Sequence, residues 1–380
     1  MALSSQRGVS LKKAIFLSGG GARGAYQAGV LKCISDILGG GQFPADILST
    51  VSAGAINGAH IAMHAEDFRL GTNNLVKLWG SLSSEQIFRA GNLSLMKSVA
   101  RNMASMLFHM NLKGGQHLLD TQPLEALLRE HIDFDRIKQN IDKGLLSAFE
   151  VATTCFESAQ TISFVHSQDP NAGWRKIRHY SQSTPILCEH IMASSAFPMF
   201  FPAENIDNLH YGDGGLRHSS PLRASIKLGA DAILIIGTRK TPDIDLLNNP
   251  RPIADINFSK ILGMLFNAFL DNLDRDLEHM NTINQNYELM NAETRGKSQW
   301  RELKVLNITP SVDLAKIAEQ KEVAMPFLLR YLMDAFGEKE QSGDFLSFLL
   351  FESAYTGDLI EIGYNDTMQK KDEVEEFFAL

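Results

Sequence analysis

The chain has 380 residues, long enough for one large α/β domain with an additional segment, and 44% of them are hydrophobic, enough to bury a sizeable core. Its 36 Lys and Arg stand against 44 Asp and Glu for a formal charge of −8. That balance argues against nucleic acid as a partner and against docking on anionic membranes by charge alone, so any peripheral membrane contact must be hydrophobic or partner-assisted. Three scattered cysteines, Cys33, Cys155 and Cys188, indicate neither a disulfide framework nor a zinc site.

Residues 1–9 lack the apolar core of a secretory signal, and no run of about 18 apolar residues occurs, so a cytoplasmic protein is expected, with signal-independent export still compatible. Lys13–Ser18 reads as a buried strand that drops into Gly19-Gly20-Gly21-Ala22-Arg23-Gly24. A helix over Ala25–Leu38 follows, with Leu31, Ile34 and Leu38 on one face. Glycine inside regular structure costs roughly 0.5–1 kcal/mol, so this clustering implies close approach to the bare backbone. Free N–H groups and the positive end of the helix dipole make the loop an anion cradle.

Two kinds of anion fit. Gly19, Gly21 and Gly24 satisfy the G-x-G-x-x-G spacing of a dinucleotide site, and Asp46 lies at about the right distance for the ribose. However, Asp46 opens the next strand, Asp46–Val51, and what closes that strand is Ser52. With Ala53, Gly54 and a helical run over Ala55–Ala65, this is the strand, sharp turn and helix that hold a nucleophilic serine on an exposed elbow. The cradle then becomes an oxyanion hole, with one N–H from Ala53 and the others from the glycines.

Further along, Pro123–His131 and Pro221–Leu228 read as helices, and Ser147–Thr154, Gln160–His166, Asp231–Thr238 and Glu302–Thr309 as strands. The alternation predicts a largely parallel sheet covered on both faces. His210-Tyr211-Gly212-Asp213-Gly214-Gly215 sets a carboxylate between glycines in a loop. A free aspartate, with a pKa of about 3.9, is a poor base, but burial against the Ser52 hydroxyl raises it into a useful range. His218 offers a triad order Ser52, Asp213, His218, with an unusually short Asp–His spacing; His210 and Tyr211 read as loop packing. Apolar bands at Met96–Met110 and within Ile256–Leu270 fit either core packing or the border of a lipid channel. Thr241–Pro252 reads as a loop. From Ser311 the strand rhythm fades, so residues 11–310 are expected to form the main domain and 311–380 a helical C-terminal appendage.

Singly, these blocks would be ordinary turns. In combination and order, Gly19–Gly24, Ser52-Ala53-Gly54, Ala193-Ser194-Ser195-Ala196-Phe197-Pro198 with Phe200-Phe201-Pro202, and Asp213-Gly214-Gly215 resemble the blocks of the patatin-like phospholipases. The resemblance implies a three-layer α/β/α fold with a mostly parallel central sheet. It implies acyl hydrolysis of a lipid or phospholipid, of the phospholipase A or lysophospholipase type, through an acyl-enzyme. It further implies a dyad of Ser52 and Asp213, an oxyanion hole from Gly19, Gly20, Gly21 and Ala53, and supporting roles for Arg23, Gly24, Gly54, Gly214 and Gly215. Neither metal nor cofactor is implied; a protein activator is compatible with the family. A patatin-fold lipid-binding or scaffold protein without turnover is the alternative, ahead of a dinucleotide-binding oxidoreductase. One departure stands out: Thr50 occupies the first glycine of the family's G-x-S-x-G elbow, and its branched side chain is expected to crowd the following helix.

Overall fold

The computed structural model describes residues 11–90, 119–241, 261, 264, 272–298, 300–321 and 343–379. The strands are β1 (Lys13–Leu17), β2 (Ile47–Val51), β3 (Arg89–Ala90), β4 (Leu119–Asp120), β5 (Ala148–Cys155), β6 (Gln160–Ser167), β7 (Arg175–Lys176), β8 (His179–Ser183), β9 (Glu204–Ile206), β10 (Leu209–Asp213), β11 (Ala232–Ile236) and β12 (Lys304–Ile308). All but β3 and β4 join one sheet in the order β12-β11-β1-β2-β5-β6-β8-β7, with β10 pairing to β5 and β9 to β10. The stretch from β12 to β5 is parallel throughout, as expected; β6 and β10 then run antiparallel to β5.

Side-chain alternation explains the layers. Ile15 and Leu17 of β1, with Leu234 and Ile236 of β11, face one core, while Ala14, Phe16, Ile233 and Ile235 face the other. Both faces are apolar, so both must be covered, and the chain forms the expected three layers. On the first face lie α1 (Gly24–Ile37), α2 (Ala53–Met63) and α3 (Phe68–Ser81), with α4 (Gln122–His131), α5 (Phe134–Asp142) and α6 (Cys188–Ser195). The second face is covered by α7 (Arg223–Lys227) and by Leu273 and Leu277 of α8 (Asn272–Leu289).

Among the described residues, α9 (Ala292–Lys297) precedes β12, and α10 (Leu314–Gln320), α11 (Gly343–Leu349), α12 (Ser353–Gln369) and α13 (Lys371–Ala379) follow it. α12 lies directly on α1, with Tyr26 donating to Asp366 at 3.1 Å.

Some elements escape the hydrophobic pattern. Helices α3 and α5 are capped by Asp67 and Asp133, whose side chains accept backbone N–H groups. Asp213 is not in a loop but ends β10, which joins the sheet through β5. The apolar bands at 96–110 and 256–270, and the expected loop beyond Thr241, lie outside the described residues; Ile261 and Met264 alone of the second band are described, as helical and exposed. No helix among the described residues is long and apolar enough to cross a membrane.

Candidate active site

The elbow follows from three local constraints. Ser52 follows β2 and caps α2 at φ 56° and ψ −128°, a conformation that costs a non-glycine residue about 1–3 kcal/mol and persists only where the surroundings hold it. They do: the Ser52 N–H donates to Ser194 Oγ at 2.9 Å, and that hydroxyl donates to the Ala152 carbonyl at 2.7 Å. At Gly54 the turn runs so close to β1 that a Cβ would stand 2.3 Å from the Leu17 carbonyl oxygen. Nor does Thr50 distort the elbow: its methyl points at Gly58 of α2 and its hydroxyl donates to the Glu150 carbonyl at 2.8 Å.

The glycine turn abuts this serine. A Cβ on Gly19 would lie 3.1 Å from Ser52 Cβ. Gly21 has φ 56°, and a Cβ there would lie 2.2 Å from the Phe348 carbonyl oxygen, so no other residue fits. Gln27 pins the approach by donating to the carbonyls of Ser18 (2.8 Å) and Ile236 (3.1 Å). Asn57 in turn donates to Gln27 (2.9 Å) and to the Gly24 carbonyl (3.0 Å), and receives the Trp79 indole N–H (2.7 Å). The Thr238 hydroxyl donates to the Gly19 carbonyl. Gly21 and Ala53 begin helical segments, where N–H groups have no partner in their own helix. Among the described residues no backbone carbonyl accepts from Gly20, Gly21 or Ala53.

Asp213 reaches the same place from β10. Its Oδ1 accepts the Gly215 N–H at 2.8 Å, and its carboxylate lines the same pocket as Ser52. Its own backbone is clamped on both sides: its N–H donates to the Ala196 carbonyl (2.9 Å), and its carbonyl accepts from the Thr154 hydroxyl (2.9 Å). Gly214 passes Ala152 too closely for a side chain. Burial pushes the Asp213 carboxyl up to about 6, against the opposing pull of Ser52 and of the Gly215 N–H.

One pocket unites these groups. Ser52, Asp213, Gly19, Gly20, Gly21 and Ala53 line it together. Its lining is mostly apolar, including Ile56, Leu78, Trp79, Leu82, Phe197, Phe201, Phe348 and Phe351, with His218, Thr238, Arg239 and Asp274 among the polar residues. A pocket with this lining can take an aliphatic chain beside a few polar groups.

Other candidates lie elsewhere. Arg23 turns away from Ser52: its guanidinium bonds Ser347 Oγ at 2.8 Å, pairs with Asp344 at 3.4 Å and lies 4.3 Å from the Phe348 ring centroid. Its contact is with α11, the wall of the channel. Gly24 lies behind the turn, against Ala53 and Trp79. His218 walls the pocket, but its ring contacts are with Phe16 and His179. His210 pairs at the surface with Glu157, and Tyr211 is buried beside Phe164. Asp46 serves the opposite end of the sheet, accepting the Lys13 N–H at 2.8 Å, so it is not a ribose ligand. Among the described residues no group of three His, Cys, Asp or Glu is placed to hold a metal ion.

Sequence reasoning left Ser194 and Glu150 without roles. Ser194 lay within a recognised block, and Glu150 was a charge inside an otherwise apolar strand, which is the signal that could have drawn attention to it.

A sequence model of the patatin-like phospholipase family matches residues 15–226, more than half of the chain. The chain belongs to this family. No curated protein matches it. Among solved structures it is similar to VipD from Legionella pneumophila, at 11% identity and a TM-score of 0.36, over 95% of this chain and 67% of that one. A second is the ExoU–SpcU complex of the Pseudomonas aeruginosa type III secretion system, at 14% identity and a TM-score of 0.27, over 85% and 66%. A third is human GIVD cytosolic phospholipase A2 with methyl γ-linolenyl fluorophosphonate, at 10% identity and a TM-score of 0.34, over 95% and 60%. The chain thus spans about two thirds or less of the length of these proteins, and likenesses this distant carry no argument about the site.

Proposed function

We propose that this chain is a serine-dependent lipid acyl hydrolase of the phospholipase A or lysophospholipase type, working through a Ser52–Asp213 dyad. The observation that carries the reading is that the buried Asp213 carboxylate and the Ser52 side chain line one apolar-walled pocket. Asp213 takes the hydroxyl proton as Ser52 Oγ attacks the ester carbonyl carbon. The tetrahedral oxyanion lies against the N–H groups of Gly20, Gly21 and Ala53, with Gly19 completing the turn. Collapse breaks the bond to the alcohol or lysolipid, which leaves with the proton from Asp213. Water, deprotonated by the same carboxylate, then cleaves the acyl-enzyme. No step needs a metal or cofactor.

The same reading places the acyl chain along Ile56, Trp79, Phe201 and Phe351 and assigns catalysis to residues 11–310. The helical appendage at 311–380 supplies part of the channel wall through Phe348 and Phe351. Peripheral contact with a lipid surface brings substrate to the pocket, and work in the cytoplasm, with or without a protein activator, belongs to this proposal.

The test is labelling by a fluorophosphonate probe. Wild type and His218→Ala are expected to label; Ser52→Ala and Asp213→Asn are not. Labelling that survives Ser52→Ala, or that His218→Ala abolishes, would overturn the dyad.

A further inference from the structure

Glu150 is fully buried in the middle of β5, and its carboxylate is held by uncharged donors. The Thr50 N–H donates to Oε2 at 3.2 Å and the Ser163 hydroxyl donates to Oε1. The Thr50 hydroxyl adds a third bond, to the Glu150 carbonyl, at 2.8 Å. Behind Ser163 stands His179, whose Nε2 is 2.9 Å from Ser163 Oγ, and the His179 ring meets His218 edge-on at 6.1 Å. Thr50 is the residue that departs from the elbow glycine, and it lies two positions before Ser52. The Thr50 hydroxyl thus bonds the Glu150 main chain, which a glycine could not do, while the Glu150 carboxylate holds the Thr50 backbone N–H.

We infer that Glu150 is a positioning residue for the nucleophile: by holding Thr50 it anchors the incoming strand of the strained elbow, as Ser194 anchors the Ser52 N–H. The inference rests on the reading of Ser52 as nucleophile. A bond from a backbone N–H to a carboxylate is roughly twice as strong as one to a neutral acceptor. The anionic form thus grips Thr50 most firmly, with His179 donating to Ser163 and Ser163 donating to Glu150. When one proton from solvent is added to Oε1, that oxygen becomes a donor, and Oε2 is left a weaker acceptor for Thr50.

The groups facing Glu150 and its relay are Thr50 from β2, Ser163 from β6, His179 from β8, His218 from the turn after β10, and Arg223 from α7, whose charge acts on both imidazoles. Burial pushes the two histidines down, to about 4 and about 3, so both are neutral; it pushes Glu150 up to about 7.

The experiment measures kcat and KM of the full chain with a soluble short-chain p-nitrophenyl ester from pH 5 to pH 9, for wild type, Glu150→Gln, Ser163→Ala and Ser52→Ala, with circular dichroism to verify folding. Glu150→Gln keeps an acceptor for Thr50 but loses the charge. Its kcat is expected to fall about tenfold above pH 8 with KM within about twofold, the pattern of lost transition-state positioning. Its acid limb should lose the partial, roughly tenfold step that Glu150 adds in wild type, with Asp213 alone left to titrate. Ser163→Ala removes a donor to the carboxylate and should move the Glu150 limb to higher pH. A Glu150→Gln enzyme with wild-type kcat and an unchanged acid limb would overturn the inference. If that variant does not fold, Ser163→Ala decides, and an unmoved limb is the overturning result. Full turnover in Ser52→Ala sinks the dyad itself and this inference with it; an inactive Ser52→Ala beside an unaltered Glu150→Gln sinks this inference alone.

Discussion

Thr50 and Gly58 share one space: a Cβ on Gly58 would stand 2.6 Å from the Thr50 Cγ2. The elbow tolerates a β-branched residue because the facing turn of α2 gives up its side chain. Gly58→Ala should therefore destabilise the fold by about 1–3 kcal/mol, the usual range for overpacking. Thr50→Ser, which deletes the offending methyl and keeps the hydroxyl, should recover most of that loss. A double-mutant cycle by thermal denaturation measures it, and additive effects would show that the two do not compete.

Ser194 is the second support of the elbow. Ser194→Ala leaves the Ser52 N–H and the Ala152 carbonyl without their shared partner. A buried polar group left unpaired costs about 1–3 kcal/mol. The expected outcome is a lower melting temperature together with slower fluorophosphonate labelling of Ser52. A variant that melts lower but labels at the wild-type rate would confine Ser194 to stability.

Asp213 should trade stability for activity. As base it must be ionised, so kcat/KM should fall as pH drops through about 6. Stability runs the other way. Because the folded value lies above the ordinary 3.8, the contribution of the neutral carboxyl is complete below that ordinary value and is lost as pH rises through about 6. The shift corresponds to at most about 3 kcal/mol. Asp213→Asn should consequently melt above wild type at pH 8, with the gap closing toward pH 4, while turnover drops by about 10²- to 10⁴-fold. Calorimetry at the two pH values checks the sign.

Arg23 separates two accounts of its position beside the glycine turn. Its bonds to Ser347 and Asp344 tie α11 down, and Phe348 of that helix walls the channel. Arg23→Ala should loosen residues 343–349, seen as faster hydrogen exchange there, with a loss of about 1–3 kcal/mol. KM for long-chain substrates should rise while kcat for a short soluble ester changes little. A collapse of kcat for the short ester would instead place the guanidinium among the reacting groups.

Much of this protein was legible locally. The run from Lys13 to Gly24 and the run from Asp46 to Gly54 each announce strand, turn and helix. The reason is that backbone sterics at glycine, and the apolar period of the flanking residues, act between near neighbours and need no distant partner. The sheet's parallel heart was readable for the same reason: β1, β2 and β11 are short apolar runs bounded by turn residues. Asp213-Gly214-Gly215 was visible as a motif, yet its place at the end of a strand was not, because Gly212 and Asp213 are strand only through their pairing with Thr154 and Thr153 of β5.

What the linear chain determined is the inventory of turns and the chemical types they carry. Tertiary structure alone decided which groups meet. It set Asp213 against Ser52, aimed Arg23 at α11 and not at the pocket, made Ser194 the holder of the elbow, and joined Glu150 to Thr50. These are contacts between residues far apart in sequence, brought together by the order of strands in the sheet and by which face each side chain takes. No local propensity encodes that order, since it is settled by burying two apolar faces at once.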